Sequence, residues 1–170
     1  MNKSLYTLGT LAALSLLSAC GGQGNNAAGN ASAPAENTAA SGVASDAKAS
    51  IKARSDLMEA FKEDVGAMGK MVKGETPFDA AAFQKAADNL DANAGKPWEH
   101  YTAESAKEES EAKPEIWSKP DEFKKEIDKF TAATAALKTA AASGKLDDVK
   151  KPFGAVGQSC KSCHDSFRAD

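Results

Sequence analysis

Near the end of the chain lie the residues whose types and spacing could do the most chemistry: Cys160-Lys161-Ser162-Cys163-His164. Two thiols three residues apart, followed at once by an imidazole, form the attachment pattern of a c-type haem. Each thiol adds across one vinyl group of the porphyrin, and a helical turn sets His164 beneath the ring with a nitrogen aimed at the iron. A tetrahedral zinc site would need four ligands, and the only other candidates are Cys20 and His100. A redox Cys-x-x-Cys opens a helix after a strand, where the helix N-terminus lowers the thiol pKa. Here the motif falls in the last turns of a helical pattern that no strand precedes.

That helical pattern positions the thiols. Leu146, Val149, Phe153, Val156, Cys160, Cys163 and Phe167 recur in alternating steps of three and four, so they share one interior face. A porphyrin held there is carried inside a bundle. Pro152 is expected to kink this helix or to mark its true start. A first helix places Ile51, Met58, Phe61, Val65, Met68 and Val72 on one seam, with Arg54 on the same seam, and Gly74 ends it. A second, from about 78 to 94, carries Phe78, Ala82, Ala86 and Leu90 before Gly95-Lys96-Pro97. Residues 95–120 make a long connection holding His100, a run of Glu and the anchors Trp98 and Trp117. A third helix starts at Pro120-Asp121 and carries Phe123, Ile127, Phe130, Leu137 and Ala141 as far as Ser143-Gly144. The expected fold is all-α, an antiparallel up-down-up-down four-helix bundle enclosing a covalently bound haem.

Composition narrows the class. The 170 residues allow one domain; aromatics are 6% and Ala is abundant, which favours helices over a sheet. The net charge of -3, with no basic stripe, argues against nucleic acid. No phosphate loop or hydrolytic Ser/His/Asp constellation is present; the expectation is a haem-binding or electron-transfer protein and not an enzyme, with turnover of a bound ligand left open.

Residues 1–20 read as an export signal: Lys3, an apolar run from Leu5 to Leu17, then Leu17-Ser18-Ala19-Cys20. The ending resembles a bacterial lipobox, which would make Cys20 the lipidated first residue of the mature chain; an ordinary secretory signal is the other reading. Both place the protein on the periplasmic side of the envelope, the first held to a membrane only by the lipid on Cys20. Residues 21–45, rich in Gly, Asn, Ala and Ser, read as a disordered tether with a reach of roughly 25–30 Å. The bundle then occupies 46–170.

The chain resembles cytochrome c′, the class II c-type cytochromes. The matching pieces are Arg54-x-x-x-Met58, Met71-Val72-Lys73-Gly74-Glu75, Pro77-Phe78-Asp79-Ala80-Ala81 and Pro97-Trp98. Further on come Pro114-Glu115-Ile116-Trp117 and Val156-Gly157-x-x-Cys160-Lys161-x-Cys163-His164-x-x-Phe167-Arg168. The resemblance implies one haem c on Cys160 and Cys163, with His164 as the axial iron ligand and Arg54 paired with a propionate. It also implies Arg168 near the proximal face and Glu111 near the haem edge. The bland alternatives are a snorkelling Arg54, Arg168 as a cation at a helix C-terminus, and Glu111 within a solvated charge run.

Met58 divides two functions within this resemblance. In one branch an apolar residue at its position crowds a five-coordinate iron, which binds nitric oxide or carbon monoxide and would protect against nitrosative stress. In the other a Met ligates the iron, and Met/His ligation suits a periplasmic electron carrier working with redox partner proteins. A thioether can bond iron or merely pack beside it; the Pro-Glu-Ile-Trp loop and the Phe-Arg ending favour the first branch. The resemblance further implies a homodimer through the first two helices, consistent with a small, flat outer face at Ala80–Ala82 and Ala86–Ala87.

Overall fold

The computed structural model describes residues 37–169, with side chains from 46 onward. The export signal, Cys20 and the tether as far as residue 36 lie outside the described residues. Four long helices, α1 (Asn37–Val72), α2 (Ala80–Asn93), α4 (Pro120–Ala141) and α5 (Leu146–Phe167), form the antiparallel bundle, and a single turn, α3 (Glu115–Ser118), precedes α4. Helix α1 begins nine residues before the expected boundary at Asp46, within the stretch read as tether. No proline follows Pro34 there, and Ala39, Ala40 and Ala44 favour continuing the helix upstream.

Local chemistry fixes the helix ends. After α1 the chain makes a Schellman turn: Glu75 N–H donates to Lys70 O (2.9 Å), Gly74 N–H to Met71 O (3.2 Å), and Gly74 takes φ 76°. Asp79 caps α2 by accepting from the N–H groups of Ala81 and Ala82 at 2.9 and 3.0 Å. Pro152 does not start α5. The helix begins six residues earlier at Leu146 and runs through it, leaving the carbonyl of Asp148 without its usual i+4 donor.

Two apolar clusters fill the bundle. The larger joins Phe61, Met68, Phe83, Leu90, Phe130, Leu137, Val149 and Val156; the smaller is Ile116, Phe123 and Phe167. Thr134 occupies the buried step between Phe130 and Leu137, its hydroxyl donating to Thr131 O (2.9 Å). The phase of α2 differs from expectation. Phe83, Ala86, Ala87 and Leu90 face inward while Ala82 is exposed, because the bulk of Phe83 sets the buried face and alanines tolerate either side. Ala86 and Ala87 are therefore core residues, and only Ala81 and Ala82 remain of the expected outer face.

Helix α2 lies along α1 and α4, and α4 lies closely along α5, whereas α1 and α5 approach each other only sparsely. They do meet at one end. Gly69 is buried against Phe153, whose ring would stand 3.4 Å from a Cβ at that position. Phe83→Ala is expected to cost about 3–5 kcal/mol by leaving a cavity, and Asp79→Ala about 1 kcal/mol by removing the cap. Urea unfolding of the two variants checks both, and equal losses would contradict this account of α2.

Candidate functional site

The Gly69–Phe153 contact sets a register. Two α-helices share one rise per residue, so counting eleven residues back from Gly69 along α1 and eleven forward from Phe153 along antiparallel α5 reaches Met58 and His164 at one level. The same count places Arg54 level with Arg168. The sparse seam between α1 and α5 thus has Arg54 and Met58 along one helix level with Arg168 and His164 at the end of the other.

The two thiols straddle the clusters. Cys160 packs with the larger one, as does half-buried Met58, and Cys163 packs with the smaller one. Both are free thiols. Burial raises the pKa of each, and Cys163, with the Glu126 carboxylate and Cys160 adding to the effect, is pushed up to about 11. Both stay protonated and neutral at pH 7, which suits an apolar seam. His164 is exposed at its edge. Desolvation and the neighbouring Arg168 lower its pKa against the opposing pull of Asp165 and Glu111, which favours the neutral imidazole that a metal requires.

Arg54 is the only buried charged side chain among the described residues, with 4% of its surface exposed. Its guanidinium donates to His100 O (3.1 Å), Ser105 Oγ (3.0 Å) and Ser110 Oγ (2.9 Å), and lies 4.5 Å from the centroid of the Tyr101 ring. All three acceptors are neutral, and Arg54 forms no ion pair among the described residues; burial lowers its pKa while Tyr101 opposes that shift. A buried cation so placed holds the long connection to α1 and still lacks a counter-ion, the deficit a propionate would fill.

The connection is tied down elsewhere. The indole N–H of Trp98 donates to Ala94 O (2.6 Å) and that of Trp117 to Tyr101 O (3.0 Å) and Thr102 O (3.1 Å), so both Trp residues anchor it. Glu111 pairs with Arg168, whose Nε and Nη2 reach Oε2 at 2.9 and 2.7 Å. Backbone bonds beside this pair, Lys113 N–H to Phe167 O (2.9 Å) and Ala169 N–H to Glu111 O (2.8 Å), clasp the connection to the end of α5. His100 is half-buried, with Nε2 3.8 Å from Glu99.

Sequence reasoning missed Tyr101, which packs with Cys163 in the smaller cluster beneath Arg54, and it missed the Glu126–Ser162 contact inside the attachment motif. An aromatic three residues after Trp98 was the signal for the first. Nothing local signals the second.

The donor set fits a haem. Among the described residues no group of three His, Cys, Asp or Glu could hold a bare metal ion. Two thiols on an apolar face beside one imidazole suit a porphyrin, which brings its own four nitrogens and needs only anchoring and an axial ligand. Replacing Arg54 with Leu should remove the three hydrogen bonds that tie α1 to the 100–110 segment, the one to Ser105 Oγ being buried, and loosen that segment at a cost of about 1–3 kcal/mol. Limited proteolysis should then cut within 99–111 faster than in the parent protein; an unchanged cleavage rate would contradict the role assigned to Arg54.

The family model described as Cytochrome C' matches residues 49–168. Cytochrome c' of Alcaligenes xylosoxydans xylosoxydans is 35% identical over 118 residues, spanning 69% of this chain and 91% of that protein. Cytochrome c prime from Shewanella frigidimarina superposes with a TM-score of 0.70 at 36% identity, covering 73% of this chain and 97% of that one. The nitric oxide complex of a variant of cytochrome c prime from Alcaligenes xylosoxidans gives 0.69 at 33% identity, with 73% and 97% covered. Proteins of this family bind one covalent haem c. By its sequence, its bundle and its thiol-imidazole seam, this chain belongs to the cytochrome c′ family.

Proposed function

We propose that this chain is a periplasmic haem c protein, not an enzyme, whose five-coordinate iron binds nitric oxide and carbon monoxide on the Met58 side and so protects against nitrosative stress. The observation that carries this reading is the register of α1 against α5, which sets Met58 and His164 level with each other on opposite walls of a sparsely packed seam. When bound, the haem supplies an iron at which a small neutral diatomic coordinates. Cys160 and Cys163 would anchor the group, His164 would bind the iron, and Arg54 would meet a propionate. On the other side Met58 packs in a cluster with Phe61, Val65 and Phe130, an apolar surface without a hydrogen-bond donor to hold dioxygen. The nitric oxide complex of a similar cytochrome c prime supports the same ligand here. Arg168 stays paired with Glu111 near His164, where the two charges act on the imidazole in opposite directions.

The same register supports a second reading, because a thioether level with His164 is also placed to ligate the iron. The chain would then be a low-spin electron carrier with protein redox partners. In either case the proposal includes a lipid on Cys20 as the membrane attachment and a homodimer through α1 and α2, where exposed Ala81 and Ala82 offer a small surface. Among the described residues no helix is long and apolar enough to cross a membrane.

Titration of the ferrous protein with nitric oxide, followed by absorption, tests the open site. Stoichiometric conversion is expected, and Met58→Ala should bind faster because the side chain no longer has to move aside. Ferrous protein that ignores the gas until Met58 is removed would establish the electron-carrier reading instead. In a Gram-negative host fed labelled palmitate, the protein should take up the label and the Cys20→Ser variant should not; an unlabelled parent protein would contradict the lipid.

A further inference from the structure

The attachment motif touches a carboxylate from another helix. Ser162, between the two thiols, donates its hydroxyl to Glu126 Oε2 of α4 at 2.5 Å, and Lys129, one turn along α4, reaches Glu126 Oε1 at 2.5 Å. The Glu126 side chain is only 12% exposed, whereas Lys129 is 61% exposed. The carboxylate therefore lies inward, against the motif, and its cation lies out in solvent. The bonds from Lys129 and Ser162 lower the Glu126 pKa against its desolvation, so it is ionised at neutral pH. The other ion pair of the motif region, Lys161–Asp165, is exposed on both sides and is screened by water.

A fixed anion half-shielded from solvent acts on any nearby group whose charge changes. Reduction of a haem adds one electron to the iron and removes one unit of positive charge, so a neighbouring carboxylate disfavours it. We propose that Glu126, held by Ser162 within the attachment motif, is a residue that biases this protein's iron toward the ferric state, with Lys129 partly offsetting that bias. The proposal rests on the haem reading above. Because the ferrous fraction limits how much ferrous ligand the protein can take up, the pair would also govern gas binding under a given reductant.

Spectroelectrochemical titration of the intact haem-loaded protein, with soluble mediators carrying the electron from the electrode, gives the potential directly. Glu126→Gln keeps an oxygen acceptor for Ser162 while removing the charge. It should shift the ferric/ferrous equilibrium toward ferrous by roughly three- to tenfold, the upper figure being 59 mV for a one-electron couple. Lys129→Gln, at an exposed position that folding tolerates, should shift it toward ferric. Opposite signs are the signature of charge, since a merely structural loss at either position has no reason to reverse direction. An unchanged or lowered potential in Glu126→Gln, or shifts of the same sign in both variants, would overturn the proposal while leaving the haem reading intact. Absence of covalently bound haem in the unmutated protein, shown by its pyridine haemochrome spectrum, would overturn both.

Discussion

The close approach of Gly69 to Phe153 is the constraint on which the site depends. A glycine at that level lets α1 meet α5 through an aromatic ring at one end of the bundle, and antiparallel register then dictates what stands opposite what along the remaining turns. Along their length the two helices share few contacts, and α5 is held mainly by α4. Away from the Gly69–Phe153 contact the seam carries Cys160, Cys163 and His164 on α5 and Arg54 and Met58 on α1.

Electrostatics sorts the charges of this end by depth. Arg54 is buried, without a carboxylate, and fastens the connection after α2 through neutral oxygens. Glu126 lies shallower, between a hydroxyl of the attachment motif and a solvated lysine. Glu111 and Arg168 pair at the surface, where an ion pair contributes about 0–1 kcal/mol at most, and the backbone bonds beside them give that clasp its definition. A buried cation and a half-buried anion on different sides of one apolar seam give the site a polarity that its overall composition does not reveal.

Much of this was legible in the sequence, for a physical reason. The alternating three- and four-residue steps of α5 survive into the structure because each of those positions is large or reactive and only one helical face can bury them all. Proline and glycine marked the start of α4 and the end of α1 because their backbone preferences act locally. The phase of α2 was less legible, since alanine is indifferent to burial and a run of alanines leaves the orientation to one Phe83. The start of α1 was obscured because helix-favouring alanines are interspersed with Gly, Asn and Ser. The contacts of Arg54 with Ser105 and Ser110, and of Glu126 with Ser162, join residues dozens of positions apart. No periodicity encodes them; they follow from how the connection folds back and how α4 lies on α5.

The central claim is that Met58 stands beside the iron and leaves it open. Electron paramagnetic resonance of the purified ferric protein, without added ligand, tests that claim most directly, because spin state follows from whether a sixth ligand is bound. A high-spin signal is the predicted result and leaves His164 as the only axial protein ligand. A purely low-spin signal that becomes high-spin on replacing Met58 with Ala would contradict it and make the thioether an iron ligand.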